Sequence, residues 1–386
     1  MTEYLEECAA KYPDLASSYT NFSTLYTQKL WHELTLSLLS FMSDPSNMRE
    51  GNLNFVSLYN SFVMLFDGKL NQLSLAKIAM KVAESYADDD LQSRQSMIEG
   101  LLEKRARLGA QAGLYLDMGH GMTSILRGLD LPSVKKSLAS AKLVLDSLEG
   151  SNDPSCHAAY YRTASAYHKV EGPPEAFYSN AIMYLNYAPP SSMSSEEQVQ
   201  WATDVSLAAL TGEGVFNFGE VAQLPVLQCL QGTSNQWLMD LMVHFSTGDV
   251  NGFNATMSAS SASIQSQPAL FPRLEHVSEK IKLLALVNMV FERPANDRNV
   301  TFAEISARAQ VEPSQVEWLV MRSLSLGLLR ATIDQPAQTV NVTWVMRRVL
   351  SPEQVKDLAD RLGEWAEKVT EMQHFVSDNS VELLYS

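Results

Sequence analysis

Cysteine is scarce in this chain of 386 residues, which carries three, Cys8, Cys156 and Cys229. An odd number of widely separated cysteines excludes a disulfide-bonded scaffold and a Cys-x-x-Cys site. The sequence therefore predicts reduced thiols, and a location in the cytoplasm and the nucleus.

Positive charge is also in short supply. The chain has 29 Lys and Arg residues against 44 Asp and Glu residues, which gives a net charge of -15. A field of this sign repels phosphate polyanions. We therefore expect no non-specific binding of DNA or RNA.

Long apolar runs are missing as well. The longest stretch, Ile281 to Phe291, is interrupted by Lys282 and Asn288 and falls short of the ~20 apolar residues that span a bilayer. The first ten residues carry acidic side chains where a secretory signal carries positive charge. The sequence predicts neither a membrane span nor export.

Apolar residues recur at spacings of three and four from Tyr19 to about Phe291. The block that opens at Pro132 is typical, because Val134, Leu138 and Leu145 fall on one face of a helix. Many such blocks with short links predict a mainly α fold, in which helical hairpins stack into a solenoid and bury one another's apolar faces. The serine run from Ser258 to Ser263 is either a weak helix or a mobile link.

The pattern changes after Pro294. Thr301–Glu304 and Ser314–Glu317 have the spacing of capping boxes, which open helices. The period then falls to two, which predicts a β-hairpin with Leu329, Ala331 and Ile333 on one strand and Val340, Val342 and Trp344 on the other. Two helices followed by a hairpin indicate a winged-helix module.

Winged helices dock on either DNA or protein. Residues 298 to 350 hold six Arg, no Lys and four acidic residues, and the second helix offers Arg322 as its one cation. So weak a positive charge within an acidic chain favours protein docking. A winged-helix nucleic-acid-binding regulator stays the alternative.

Near the carboxyl end, apolar residues step by three and four after a helix start at Ser351–Gln354, as in a heptad seam. Its members are Val355, Leu358, Leu362, Trp365, Val369, Met372 and Val376. Fully buried, they would contribute about 10 kcal/mol before entropy is subtracted, whereas an isolated helix is marginal in water. The seam is therefore a predicted interface, either with a helix of another chain, which we favour, or with the chain's own winged helix.

Three motifs resemble chemical sites but lack essential residues. His32-Glu33 has Leu36 where a zinc helix needs its second histidine, and Gly212–Gly219 lacks the Lys-Ser/Thr pair of a phosphate loop. We interpret the first as an amphipathic helix with a buried Trp31 and the second as a bend between helices. Cys156 and His157 are adjacent, so on a helix they point about 100° apart. The sequence predicts no catalytic residue, no metal, no cofactor and no enzymatic activity.

Five segments in order resemble the PCI-domain family, the scaffold family shared by the proteasome lid, the COP9 signalosome and a translation initiation factor complex. They are Tyr26–Leu36, Gly212–Glu220, Phe291–Asn296, Val320–Leu329 and Thr343–Leu350. Within the family they are most similar to a component of the lid of the 26S proteasome regulatory particle. Subunits of the signalosome or of the initiation complex are the alternatives.

The resemblance implies a non-catalytic scaffold subunit that supports lid assembly and ubiquitin-dependent protein degradation. Its implied partners are other PCI-domain lid subunits, the deubiquitinase pair of the lid through a helical bundle, and a neighbouring ubiquitin receptor. The expected domains are an amino-terminal solenoid (1–175), a PCI domain (176–346) and a carboxyl-terminal bundle helix (347–386). The PCI domain divides into a helical part (176–296) and a winged helix (297–346).

Overall fold

A computed structural model of the chain describes residues 2–47, 53–86, 90–103, 105–128, 130–147, 153–189, 193–293, 298–349 and 352–379. The chain forms two compact units, Met1–Ser194 and Ser195–Ser386. Both are built mainly from helices, and a small sheet lies in the second unit. The predicted fold class is confirmed. Among the described residues, no helix combines the length and apolarity needed to cross a bilayer.

The first unit is a stack of helices joined by short links. Each helix packs against the next or the next but one, and α3, α5, α7 and α9 contact one another in succession. This arrangement is the predicted solenoid of helical hairpins. Its helices are α1 (Thr2–Lys11), α2 (Ala16–Thr27), α3 (Trp31–Ser43), α4 (Leu53–Ser61), α5 (Gln72–Glu84), α6 (Leu91–Leu102), α7 (Arg105–Leu126), α8 (Leu131–Ser147), α9 (Pro154–Glu171) and α10 (Pro174–Tyr187).

Aromatic side chains fill the core of the first hairpins. Tyr19, Phe22 and Phe41 are buried and meet edge to face, with ring centroids 5.4 to 6.2 Å apart. Trp31, which we expected to be buried, is only half-buried. It stacks on Phe66 at 5.7 Å, and the Lys69 ammonium lies 4.8 Å from the centre of its ring. A Trp at the first position of α3 thus lies at the margin of the core, where a cation can cover its outer face.

The second unit begins with a helical part and ends with a winged helix and a long terminal helix. Its elements are α11 (Ser195–Thr211), α12 (Phe218–Ala222), α13 (Gln236–Thr247), α14 (Val250–Ala259), α15 (Ser261–Gln265), α16 (Leu274–Glu292), β1 (Asn299–Thr301), α17 (Phe302–Ala309), α18 (Pro313–Ser325), β2 (Leu329–Asp334), β3 (Thr339–Val345) and α19 (Pro352–Asn379). The serine run lies in α14 and α15, which are short helices. The division at Ser194 places α10 in the first unit, while the boundaries of the functional domains stay predictions.

Helix α16 is the central element of the second unit, because α11, α13, α17, α18 and β3 all pack on it. Its Lys280 is only 1% exposed. The Lys280 ammonium donates hydrogen bonds to the carbonyl oxygens of Ala209 and Gly212, each at 2.7 Å. The last carbonyls of a helix have no partner within the helix and carry its negative dipole end, so the buried cation caps the carboxyl end of α11.

The winged helix contains a three-stranded antiparallel sheet in the order β1-β3-β2. The predicted hairpin is present, but β1 was not predicted, since three residues are too few to give a periodic signal. Thr301 and Glu304 form the predicted capping box at the start of α17. The capping box predicted at Ser314 was wrong: α18 begins at Pro313, whose fixed φ suits a first helical position, and Glu312 precedes it without a side-chain cap.

A β-bulge changes which residues of the hairpin face inward. Arg330 pairs with Trp344, whereas the next residue, Ala331, pairs with Val342, so Thr343 is the extra residue. An extra residue reverses the alternation of side chains. Trp344 therefore lies on the outer face, where the Arg330 guanidinium is 5.3 Å from the centre of its ring. The simple alternation predicted from the sequence holds for Val340 and Val342, which are buried.

We predict that Lys280→Met destabilises the second unit. Two buried carbonyl oxygens would lose a charged donor, so the free energy of unfolding should fall by about 2 kcal/mol. Urea denaturation followed by tryptophan fluorescence measures this change. The matched control is Lys282→Met, two residues along the same helix and half-buried. An equal loss of stability in the two variants would contradict the role given to Lys280.

Candidate protein-interaction surfaces

The terminal helix α19 exposes an apolar stripe along its length. Every described side chain from Val355 to Ser377 is exposed. The seven predicted seam residues lie on one face of the helix, with exposed fractions from 47% at Val369 to 66% at Trp365. Among the described residues, none from another element covers this face. Contiguous apolar surface of this kind marks interaction sites in soluble proteins, and the seam as an interface stays a prediction.

The chain that leads into α19 is tied to the body of the second unit. After β3 the Met346 amide donates to the Leu328 carbonyl at 2.8 Å. The Arg348 guanidinium donates to the Ser246 carbonyl at 3.0 Å. Val349 packs so closely on Gly219 that a Cβ at Gly219 would lie 3.1 Å from the Val349 Cβ. The apolar helix therefore starts three residues beyond an anchored point.

The carboxyl end of α13 supplies that anchor. The Ser246 carbonyl also accepts a hydrogen bond from the Asn288 side chain of α16 at 3.2 Å. Gly248 follows in the left-handed conformation (φ 68°), and a Cβ there would lie 2.7 Å from the Asn288 amide nitrogen. Burial lowers the pKa of Arg348 from its usual value, while Glu292 opposes that effect. The roles of Asn288 and Arg348 could not be predicted from the sequence, because each donates a hydrogen bond to the end of a helix that is distant along the chain.

The second helix of the winged helix offers another exposed surface. Trp318 and Met321 on α18 are about half exposed, and Trp318 lines a groove of about 320 Å³ between α16 and α18. Arg322, the one cation of α18, contacts the Glu279 carboxylate of α16 at 3.2 Å. The residue that would read DNA is thus engaged inside the unit, while apolar side chains face outward.

Strand β2 forms one edge of the sheet. An edge strand presents backbone N–H and C=O groups that can pair with a strand of another chain. Arg330 and Trp344 lie side by side on the outer face next to this edge. The edge therefore combines free backbone pairing capacity with an aromatic side chain, which is typical of protein interfaces.

The glycine-rich segment Gly212–Gly219 is structural. Phe216 and Phe218 are buried, and the Lys280 ammonium lies 5.4 and 5.0 Å from the centres of their rings. The Gly212 carbonyl accepts from the same ammonium. The interpretation of this segment as a bend between helices is confirmed.

The Cys156-His157 pair does not form a nucleophile and base. The Cys156 thiol is buried, and burial raises its pKa from 9.0 to about 11. The His157 ring stacks on Tyr187 at 4.9 Å. A protonated thiol is a poor nucleophile. Across the described parts of the chain, no cluster of three or more His, Cys, Asp or Glu side chains has the geometry of a metal site.

The fold and these surfaces define a class. A stack of helical hairpins that ends in a winged helix and a terminal helix is the architecture of PCI-domain proteins, and the PCI domain profile matches residues 257–344. A second profile, described as PSD13 N-terminal repeats, matches residues 18–242. The Arabidopsis thaliana protein named 26S proteasome non-ATPase regulatory subunit 13 homolog B is 35% identical over 372 residues. The chain belongs to the family of 26S proteasome non-ATPase regulatory subunit 13.

The agreement with this family covers nearly the whole chain. The match with the Arabidopsis protein includes 95% of each chain. The Dictyostelium discoideum 26S proteasome non-ATPase regulatory subunit 13 is 31% identical over 99% of this chain and 98% of its own. Eukaryotic translation initiation factor 3 subunit M of Aspergillus oryzae is 24% identical over 55% of this chain and 46% of its own. The similarity to the initiation factor subunit is partial, as expected between different branches of one scaffold class.

We predict that Cys156 resists alkylation in the folded chain. With its pKa raised to about 11, the thiolate fraction at pH 8 is about a hundredfold below that of a thiol with the ordinary value of 9.0. Iodoacetamide labelling followed by mass spectrometry should modify Cys8 and Cys229, which are half-buried, well before Cys156. In guanidinium the three rates should converge. Rapid labelling of Cys156 in the folded chain would contradict the assignment.

Proposed function

We propose that this chain is a non-catalytic scaffold subunit of the 26S proteasome regulatory-particle lid. The observation that carries the proposal is the exposed heptad stripe of α19, a helix that starts three residues beyond an anchored segment. A stripe of this length gains free energy when another helix covers it. The names of the relatives, which are regulatory subunits of the proteasome, supply the assembly in which such a helix would be used.

The stripe is suited to a helical bundle. Seven apolar residues at heptad spacing form its centre, and Ala359 and Ala366 extend it on one flank. An apolar face that is wider than a strict heptad seam is characteristic of bundles of three or more helices. In this proposal α19 joins a bundle that includes the deubiquitinase pair of the lid.

A second contact is proposed for the winged helix, residues 297 to 346. Its edge strand β2 and the exposed side chains of α18 would dock sister PCI-domain subunits, and a ubiquitin receptor would be a neighbour. These contacts require no catalytic group in this chain, so ubiquitin removal and proteolysis would belong to other subunits. The proposed compartments are the cytoplasm and the nucleus.

We predict that Leu362→Asp combined with Trp365→Asp blocks incorporation into the lid. Two carboxylates in a buried seam would each cost several kcal/mol, so incorporation should fall by at least about tenfold. Native gel electrophoresis of lid reconstituted from recombinant subunits measures it. Thermal unfolding of the free chain should change little, because both side chains are exposed there.

The matched control is Thr370→Asp combined with His374→Asp. Both residues are exposed and lie outside the seam and the four flanking positions, so the same number of carboxylates is added away from the seam. This control should incorporate as the wild type does. Wild-type incorporation of the seam variant would remove the basis of the proposed function.

A further inference from the structure

The two flanks of the α19 stripe differ in charge. Arg361 and Lys368 border one flank, one heptad apart, and the corresponding positions of the other flank hold Ala359 and Ala366. All four residues are exposed, and in the part of the chain that the structure describes neither cation forms an ion pair. The acidic side chains of the helix lie away from the seam; they include Asp360, Glu364, Glu367 and Glu371. The cations of an acidic helix are thus placed where a partner would lie.

A second copy of the chain is a poor occupant of this surface. In a parallel pair, each cation would face Ala366 or Gln373 of the other copy, with no charge to attract it. In an antiparallel pair, Arg361 of one copy would face Lys368 of the other, which is repulsive. The flanks therefore oppose self-association in the antiparallel orientation and give it no electrostatic support in the parallel one.

We propose that the helix covering this stripe is one whose flank carries carboxylates at the positions that face Arg361 and Lys368. Flanking charges set the choice and orientation of partners in coiled coils and bundles. Because the chain as a whole has a net charge of -15, its general field disfavours an acidic partner. Recognition would come from these two cations at short range. The inference rests on the proposed function, since it names the chemistry of the partner at the same stripe.

The cations are available for such a partner. Glu364 precedes Lys368 by four residues, but an ion pair of this spacing on an exposed helix would be weak, and the described part of the chain has none there. No hydrogen bond from either cation to another element is present among the described residues. A carboxylate on a covering helix would meet the cation in an environment with less water than Glu364 does, and there the attraction between opposite charges is stronger.

The test uses the full chain and two synthetic helices that match the 28 residues of α19 in length. Both have leucine at every seam position, and they carry either Glu or Lys at every flanking position. Fluorescence anisotropy gives their Kd values in about 50 mM and about 500 mM NaCl. The Glu helix should bind about tenfold more tightly at low salt, and the preference should shrink to about twofold or less at high salt.

Arg361→Glu combined with Lys368→Glu should reverse the preference, while Lys356→Glu, on the opposite face of the helix, should leave it unchanged. In lid reconstitution the double variant should incorporate about tenfold less well. Equal binding of the two helices, tighter binding of the Lys helix by the wild type, or binding of neither overturns the inference. Full incorporation of the double variant overturns it too. If the double variant incorporates fully while the seam variant Leu362→Asp with Trp365→Asp is excluded from the lid, the inference fails and the proposed function is retained.

Discussion

The buried cap that α16 places on other helix ends is the interaction on which the second unit depends. The Lys280 ammonium holds the carboxyl end of α11, and Asn288, two turns further along, holds that of α13. Carbonyls at helix ends need partners when water is excluded. By supplying them, α16 fixes α11 and α13, and α17, α18 and β3 pack on it as well. The winged helix is thus built directly on the helical part.

This arrangement also determines where the terminal helix begins. The Ser246 carbonyl accepts from Asn288 and from Arg348, so the segment after β3 returns to the same helix end. The close contact of Val349 with Gly219 gives a second fixed point. A bundle helix that started from a loose linker would lose more conformational freedom on assembly. An anchored segment close to the start of the helix lowers that entropic cost.

The parts of this fold that follow from local patterns could be predicted, and those that follow from distant contacts could not. Helical periodicity, the capping box at Thr301 and the hairpin strands depend on neighbouring residues, and the structure has them. The bulge at Thr343 depends on the pairing of β3 with β2, and the short strand β1 depends on its pairing with β3, so neither has a signal in the sequence. In the sequence, Lys280 cannot be distinguished from an ordinary surface lysine of a helix. Only the packing of α11 on α16 shows that it caps the carboxyl end of α11. The seam was visible because periodicity alone defines it, but periodicity cannot identify the partner.

Affinity and selectivity at the stripe have different physical sources. Burial of valine, leucine and tryptophan side chains is non-directional, so the seam alone would accept any apolar helix of suitable length. An exposed surface of that kind also invites aggregation and wrong partners. Two cations on one flank and alanines on the other add selectivity. They make the two sides of the helix different, and they favour a neighbour that carries negative charge on the cationic side. A net charge of -15 keeps copies of the chain apart, and Arg361 and Lys368 provide the local exception through which a complementary helix is accepted.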